Sequence, residues 1–126
     1  MKLWSNEEQS YIRNFINRVH ALLPTNQCTF ARSEKNNQFD YKYNLRHEDR
    51  IRIIKSIEVD DCIDICTNIN PRYSDADVFV FLKSVELNTY GETENTRLYI
   101  KEYIATQNNM EMVVVISFHE EGLHDL

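Results

Sequence analysis

Glycine and proline are scarce, two of each in 126 residues. With so few chain-breaking residues, loops are expected to be few and mostly short. Cysteine is scarce too. Cys28, Cys62 and Cys66 are an odd number at no disulfide-framework spacing, and in a reducing compartment they read as buried thiols. Cys62 and Cys66, four apart, are expected to share a helix face. A structural zinc there would need further nitrogen or sulfur ligands, and no second Cys/His pair lies nearby. Asp60, Asp61 and Asp64 form an acidic group, but no glycine-containing loop accompanies them, which argues against an EF-hand. A helix start accounts for them, since acidic side chains favour a helix N-terminus. No apolar run approaches the ~20 residues that cross a bilayer. Met1 to Glu8 lacks an apolar signal core, so the expected location is the cytoplasm.

Basic charge is also in short supply. The net charge is −6 and the pI near 5.2, which argues against a generic nucleic-acid binder. The charge is unevenly spread, however. Residues 1–55 carry ten Lys/Arg against six Asp/Glu, and residues 56–126 carry four against fourteen. A nucleic acid would meet the basic N-terminal half. Hydrophobic residues at 42% and charged residues at 27% fit one soluble globular domain spanning 1–126.

Ser5-Asn6-Glu7-Glu8 has the form of a capping box. Ile12, Phe15, Ile16, Val19, Leu22 and Leu23 follow at helical period, and Pro24 ends the helix. Cys28 to Arg32 fits a short strand and Ser33 to Gln38 a polar turn. Phe39-Asp40-Tyr41-Lys42-Tyr43-Asn44-Leu45 alternates aromatic and polar residues, which predicts a strand. Its aromatics, interleaved with Lys42 and Arg46, either pack on one face or stack on bases. His47 to Ile57 predicts a second helix with Ile51, Ile54 and Ile57 on one face and Arg46, Arg50 and Lys55 directed elsewhere. Glu58 to Cys62 starts a short acidic element, a helical turn or two. Asp77 to Leu87 is a strand that opens as a near-continuous apolar run, buried on both faces. Thr89 to Asn95 is a turn or flexible loop, and 97–104 is the next strand. Gln107-Asn108-Asn109 is a hairpin turn, residues 111–119 form the last strand, and the tail from Glu120 leaves the sheet. Helices followed by three hairpin-connected strands predict an α+β domain with helices on one side of an antiparallel sheet.

Several segments resemble one family in order. Ile53-Ile54-Lys55-Ser56-Ile57-Glu58-Val59-Asp60-Asp61 resembles a helix and turn, and Val78-Phe79-Val80-Phe81 a strand, of the MqsR-type toxins. Leu98-Tyr99-Ile100-Lys101 and Val115-Ile116-Ser117-Phe118-His119-Glu120 resemble the family's last two strands and carry most of the specificity. The resemblance covers about residues 40–120. These toxins belong to the RelE-like superfamily of toxin–antitoxin ribonucleases.

The resemblance implies a RelE-like fold and a metal-independent endoribonuclease, or mRNA interferase, that needs no cofactor. It implies RNA as substrate and a cognate antitoxin as protein partner. Tyr99 matches the family's active-site tyrosine, and His119 the position of a lysine or histidine. Lys101, two residues after Tyr99, and Arg97, two before, share its strand face by alternation. Tyr99, His119 and Lys101 are thus the expected catalytic residues, and Arg97 and Lys83 the expected RNA-binding cations. The sequence departs from the family in two places. Asp61-Cys62-Ile63-Asp64 has no lysine where members carry one, and Val80 falls at or near a family glutamine. Two other readings stand beside this one. One is a catalytically inactive RelE-like module acting through a protein partner. The other is a metal enzyme using His119, Glu120 or Glu121 with the Asp60, Asp61 and Asp64 group.

Overall fold

A computed structural model describes residues 3–122. Helix α1 (Asn6–Leu22) starts as its sequence dictates. The Ser5 hydroxyl accepts from the Glu8 N–H, and the Glu8 carboxylate accepts from the Ser5 N–H. Its buried stripe is Ile12, Phe15, Ile16, Val19 and Leu22. A short strand, β1 (Cys28–Phe30), follows, then helices α2 (Glu34–Lys42) and α3 (His47–Lys55). Strands β2 (Cys62–Cys66), β3 (Val78–Thr89), β4 (Glu92–Gln107) and β5 (Met110–Glu120) complete a five-stranded sheet of order β1-β5-β4-β3-β2. β1 runs parallel to β5; the other neighbours are antiparallel. Among the described residues the chain is therefore α+β, with helices mainly N-terminal and the long strands C-terminal. No described helix is long and apolar enough to cross a membrane.

One face of the sheet carries the main core. Phe79 and Phe81 of β3, Leu98, Ile100 and Ile104 of β4, and Val113, Val115 and Phe118 of β5 pack under α1, α2 and α3. Phe15 of α1 stacks on Phe79 with ring centroids 3.9 Å apart. Val78 to Phe81 are all buried, as their unbroken apolar run predicts, because segment 71–76 covers part of the opposite face.

Several local expectations are corrected. Residues 34–42 are neither turn nor strand but α2. Ser33 caps it by accepting from the Asn36 N–H. Phe39 and Tyr43, which look like alternate positions of a strand, are four apart and both buried on one helix face, with Tyr41 left exposed. Arg50 does not point outward. It is buried, donates to Asp40 Oδ2 at 3.1 Å and lies over the Phe30 ring at 5.1 Å, so it ties α3 to α2 and β1. Cys62 and Cys66 stand on β2, not on a helix; Val59–Asp61, just before them, makes a 3₁₀ turn. Among the described residues the three cysteines form no disulfide.

Residues 89–95 are not a loop. β3 and β4 continue to a two-residue turn, Tyr90-Gly91, with φ of 50° and 87°. Beyond Phe81 on one side and Leu98 on the other, no neighbouring strand pairs with them, so they project as a two-stranded arm. Val85 and Leu87 on the helix side of the arm pack against the main core, and Ser84, Glu86 and Asn88 occupy its other face. The arm is tethered to the C-terminal end of α2, where Tyr43 donates to Glu94 Oε2 at 2.9 Å. The second hairpin turn is the expected one, Asn108-Asn109, with φ of 54° and 63°. Glu120 still belongs to β5, and residues 123–126 of the tail lie outside the described residues.

β5 contains a bulge. Lys101 is opposite Ser117 while Glu102 is opposite Val115, so Ile116 is an extra residue between them. A strand's side chains alternate, and one inserted residue reverses the phase. Val113 and Val115 face the helices before the bulge, and Phe118 faces them after it.

Candidate active site

The reversed phase of β5 decides which of its side chains lie on the face away from the helices. Ser117 and His119 emerge there, opposite Lys101 and Tyr99 of β4. Directly opposed residues of an antiparallel pair share a face at close range. The Tyr99 and His119 rings accordingly stack, with centroids 5.7 Å apart and planes 29° apart. Lys101 is one rung along from Tyr99 and Arg97 one rung the other way, each on the same face. Arg97 is exposed and its guanidinium stands 3.4 Å from the Glu121 carboxylate. From β3, Val80, Leu82 and Ser84 are opposite Lys101, Tyr99 and Arg97. The structure thus brings four of the five expected residues together.

Lys83 is the exception. Its partner across β4 is Leu98, a core residue, so Lys83 lies on the helix-covered face. Its ammonium donates to Asp61 Oδ2 at 3.1 Å and lines a groove of about 550 Å³ between α3 and the arm. The sheet itself separates Lys83 from Tyr99. Strand parity contained this, since Lys83 is an even number of residues from the core positions Phe79 and Phe81. The Asp61 carboxylate is held by Lys83, and the described residues contain no group of three or more His, Cys, Asp or Glu arranged to hold a metal.

His119 is only 3% exposed, whereas Tyr99 and Lys101 are half-buried. Its Nδ1 lies 3.0 Å from the Glu120 carbonyl oxygen. A carbonyl oxygen only accepts, so Nδ1 is the donor of this contact. At the two departures from the family pattern, Val80 is a buried neighbour of Lys101 and Asp64, the β2 partner of Val80, is exposed.

The next residues of the two strands face the helices and bind there. Glu120 accepts from the Lys42 ammonium at 2.8 Å and from the Tyr43 hydroxyl. That carboxylate holds the Lys42 ammonium above its ordinary pKa. Glu102 is 1% exposed between Phe79 and Val115, and its Oε1 has no hydrogen-bond partner. Burial pushes its carboxyl up to about 8. Burial also pushes the Cys28 thiol up to about 12, with the Glu102 charge adding to it.

Arg50 and Glu102 escaped the sequence reading, because nothing local marks a charged residue as buried. No protein-family model, curated protein or solved structure matches the chain.

Proposed function

We propose that the chain is a RelE-like endoribonuclease of the MqsR type, a toxin that cleaves RNA without a metal and is neutralised by an antitoxin protein. The observation that carries the reading is the cross-strand Tyr99–His119 pair with Lys101 and Arg97 on the same face.

The chemistry needs three things. The ribose 2′-OH must lose a proton as its oxygen attacks the adjacent phosphorus. The departing 5′-oxygen must gain one as its bond to phosphorus breaks, leaving a 2′,3′-cyclic phosphate. The charge on the five-coordinate phosphorus must be stabilised. His119 donates from Nδ1 to the Glu120 carbonyl, and Nε2 is the nitrogen that would take and return the second proton. The Tyr99 hydroxyl is a donor on the more exposed ring, and Lys101 and Arg97 supply cations along the same strand. Lys101 and Arg97 are four residues apart, about 13 Å along β4, with Tyr99 between them.

The test is RNA cleavage by the purified chain. His119→Ala and Tyr99→Phe should each lower the rate at least ~100-fold, with thermal melts showing both variants folded. Cleavage persisting in both removes the site assignment. The 3% exposure of His119 favours a second reading, a RelE-like module that binds a protein partner and does not cleave. Wild-type chain that leaves RNA intact and does not slow growth when expressed would select that reading.

A further inference from the structure

The bulge at Ile116 has a second side. β1 pairs with β5 only as far as Phe30 opposite Val115, and the Ala31 N–H donates to the Val115 carbonyl at 2.9 Å. The chain then turns away into α2, leaving the outer edge of β5 without a strand. The phase reversal also changes which groups that edge presents. Before the bulge they belong to Val113 and Val115, which bond Gln27 and Ala31. A regular strand would next offer Ser117. The bulged strand offers Ile116 and Phe118 instead.

Asn36, in the first turn of α2, meets those two groups. Its Nδ2 donates to the Ile116 carbonyl at 3.0 Å and to the Ala31 carbonyl at 2.9 Å, and its Oδ1 accepts from the Phe118 N–H at 2.8 Å. The side chain is 3% exposed. A primary amide presents a donor and an acceptor side by side, as a backbone residue does along a strand edge. Asn36 therefore stands in for the residue that β1 lacks, and its bonds are made to the bulged phase of β5. In the regular phase, Ile116 O and Phe118 N–H turn toward β4 and the edge presents the backbone groups of Ser117, so both of these bonds to β5 are lost.

We propose that Asn36 is a positioning residue for the active site: by clamping Ile116 and Phe118 it holds the strand phase that sets His119 against Tyr99. Its consequence for catalysis rests on the ribonuclease reading; its consequence for geometry does not. Lys101 and Arg97 lie on β4, whose phase the clamp does not set, so the clamp governs the chemical step more than RNA binding.

Two variants of the full chain test this. Asn36→Leu keeps the heavy-atom count and the branch at Cγ and removes all three bonds. Asn36→Asp keeps the acceptor for Phe118 N–H and loses both donors. In the wild type, NMR should show nuclear Overhauser contacts between the Tyr99 and His119 rings. In Asn36→Leu these should fall at least tenfold while thermal melting shows a folded chain, and Asn36→Asp should be intermediate. With RNA, kcat should fall at least tenfold in Asn36→Leu and KM should change less than twofold. Ring contacts of wild-type strength in a folded Asn36→Leu overturn the proposal, as does a loss confined to KM. If Asn36→Leu fails to fold, the Asn36→Asp contacts decide. Loss of fold in both variants assigns Asn36 to stability alone and also overturns it. A wild type that cleaves no RNA removes the ribonuclease reading, and the ring contacts then judge the clamp alone.

Discussion

Replacing Glu102 by leucine should stabilise the protein, by an amount that grows with pH. Glu102 faces the helices between Phe79 and Val115, fully enclosed, with Oε1 unbonded and its carboxyl raised from 4.5 to about 8 by burial. A folded-state pKa above the unfolded one means that the folded chain holds the proton more tightly. The stabilisation from that proton is complete below pH 4.5 and is lost as pH rises through 8. At pH 7 the unfolded chain gains by ionising while the folded chain stays protonated, a difference of ~3 kcal/mol, rising to ~5 kcal/mol above pH 8. Leucine has no proton to lose and roughly the same volume. The unbonded neutral carboxyl costs ~1 kcal/mol more at any pH. Urea melts of wild type and Glu102→Leu, followed by the fluorescence of Trp4, should diverge by ~1.4 kcal/mol per pH unit between pH 5 and 8. The melting temperature at pH 7 should rise by roughly 10 °C. All other titrating groups cancel in the difference. Parallel curves, or a variant less stable than wild type at pH 8, would refute the account of a buried, unpaired carboxyl.

Arg50→Met should destabilise by ~2 kcal/mol because it leaves the partly buried Asp40 carboxylate with only Arg32, 4.0 Å away, whereas Asp40→Leu with Arg50→Met together should recover most of that loss; a double-mutant cycle by urea melts reads the coupling. The Asp40 carboxyl already sits above its ordinary pKa through burial, which outweighs the Arg50 and Arg32 charges, so the single variant should lose more stability at pH 8 than at pH 5. Ser5→Ala breaks the capping box and should cost ~1 kcal/mol without touching the sheet; equal melts for the two chains would count against that cap.

The elements legible in the sequence are those whose own residues repeat a pattern. α1 shows a capping box and a 3.6-residue stripe, and β3 to β5 show apolar strands around Asn108-Asn109. α2 carries only two apolar contacts of any size, Phe39 and Tyr43, and a spacing of four satisfies both a helix and every second strand position. β2 is an edge strand whose identity comes from its pairing with β3, and that pairing is not written in Cys62-Ile63-Asp64-Ile65-Cys66. The candidate site divides in the same way. Tyr99, Lys101 and Arg97 share a face by simple alternation along β4. His119 does not follow by counting from Val113 and Val115, which would turn it toward the helices. Only the family resemblance set it beside Tyr99, and the bulge supplies the physical reason. Lys83 was grouped with the site on charge alone, and parity along β3 sends it through the sheet to Asp61.

The parallel pairing of β1 with β5 joins Cys28 to Val113, residues 85 apart. The β3–β4 and β4–β5 ladders each close a two-residue turn, so loop-closure entropy favours their forming before the β1–β5 ladder. The two hairpins form at small cost, and the ladder between the first strand and the last closes around most of the chain. A nascent chain still lacking β5 has nothing for β1 to join and no His119 to set beside Tyr99. The edge of the sheet and the chemistry proposed for it are completed by the same late event.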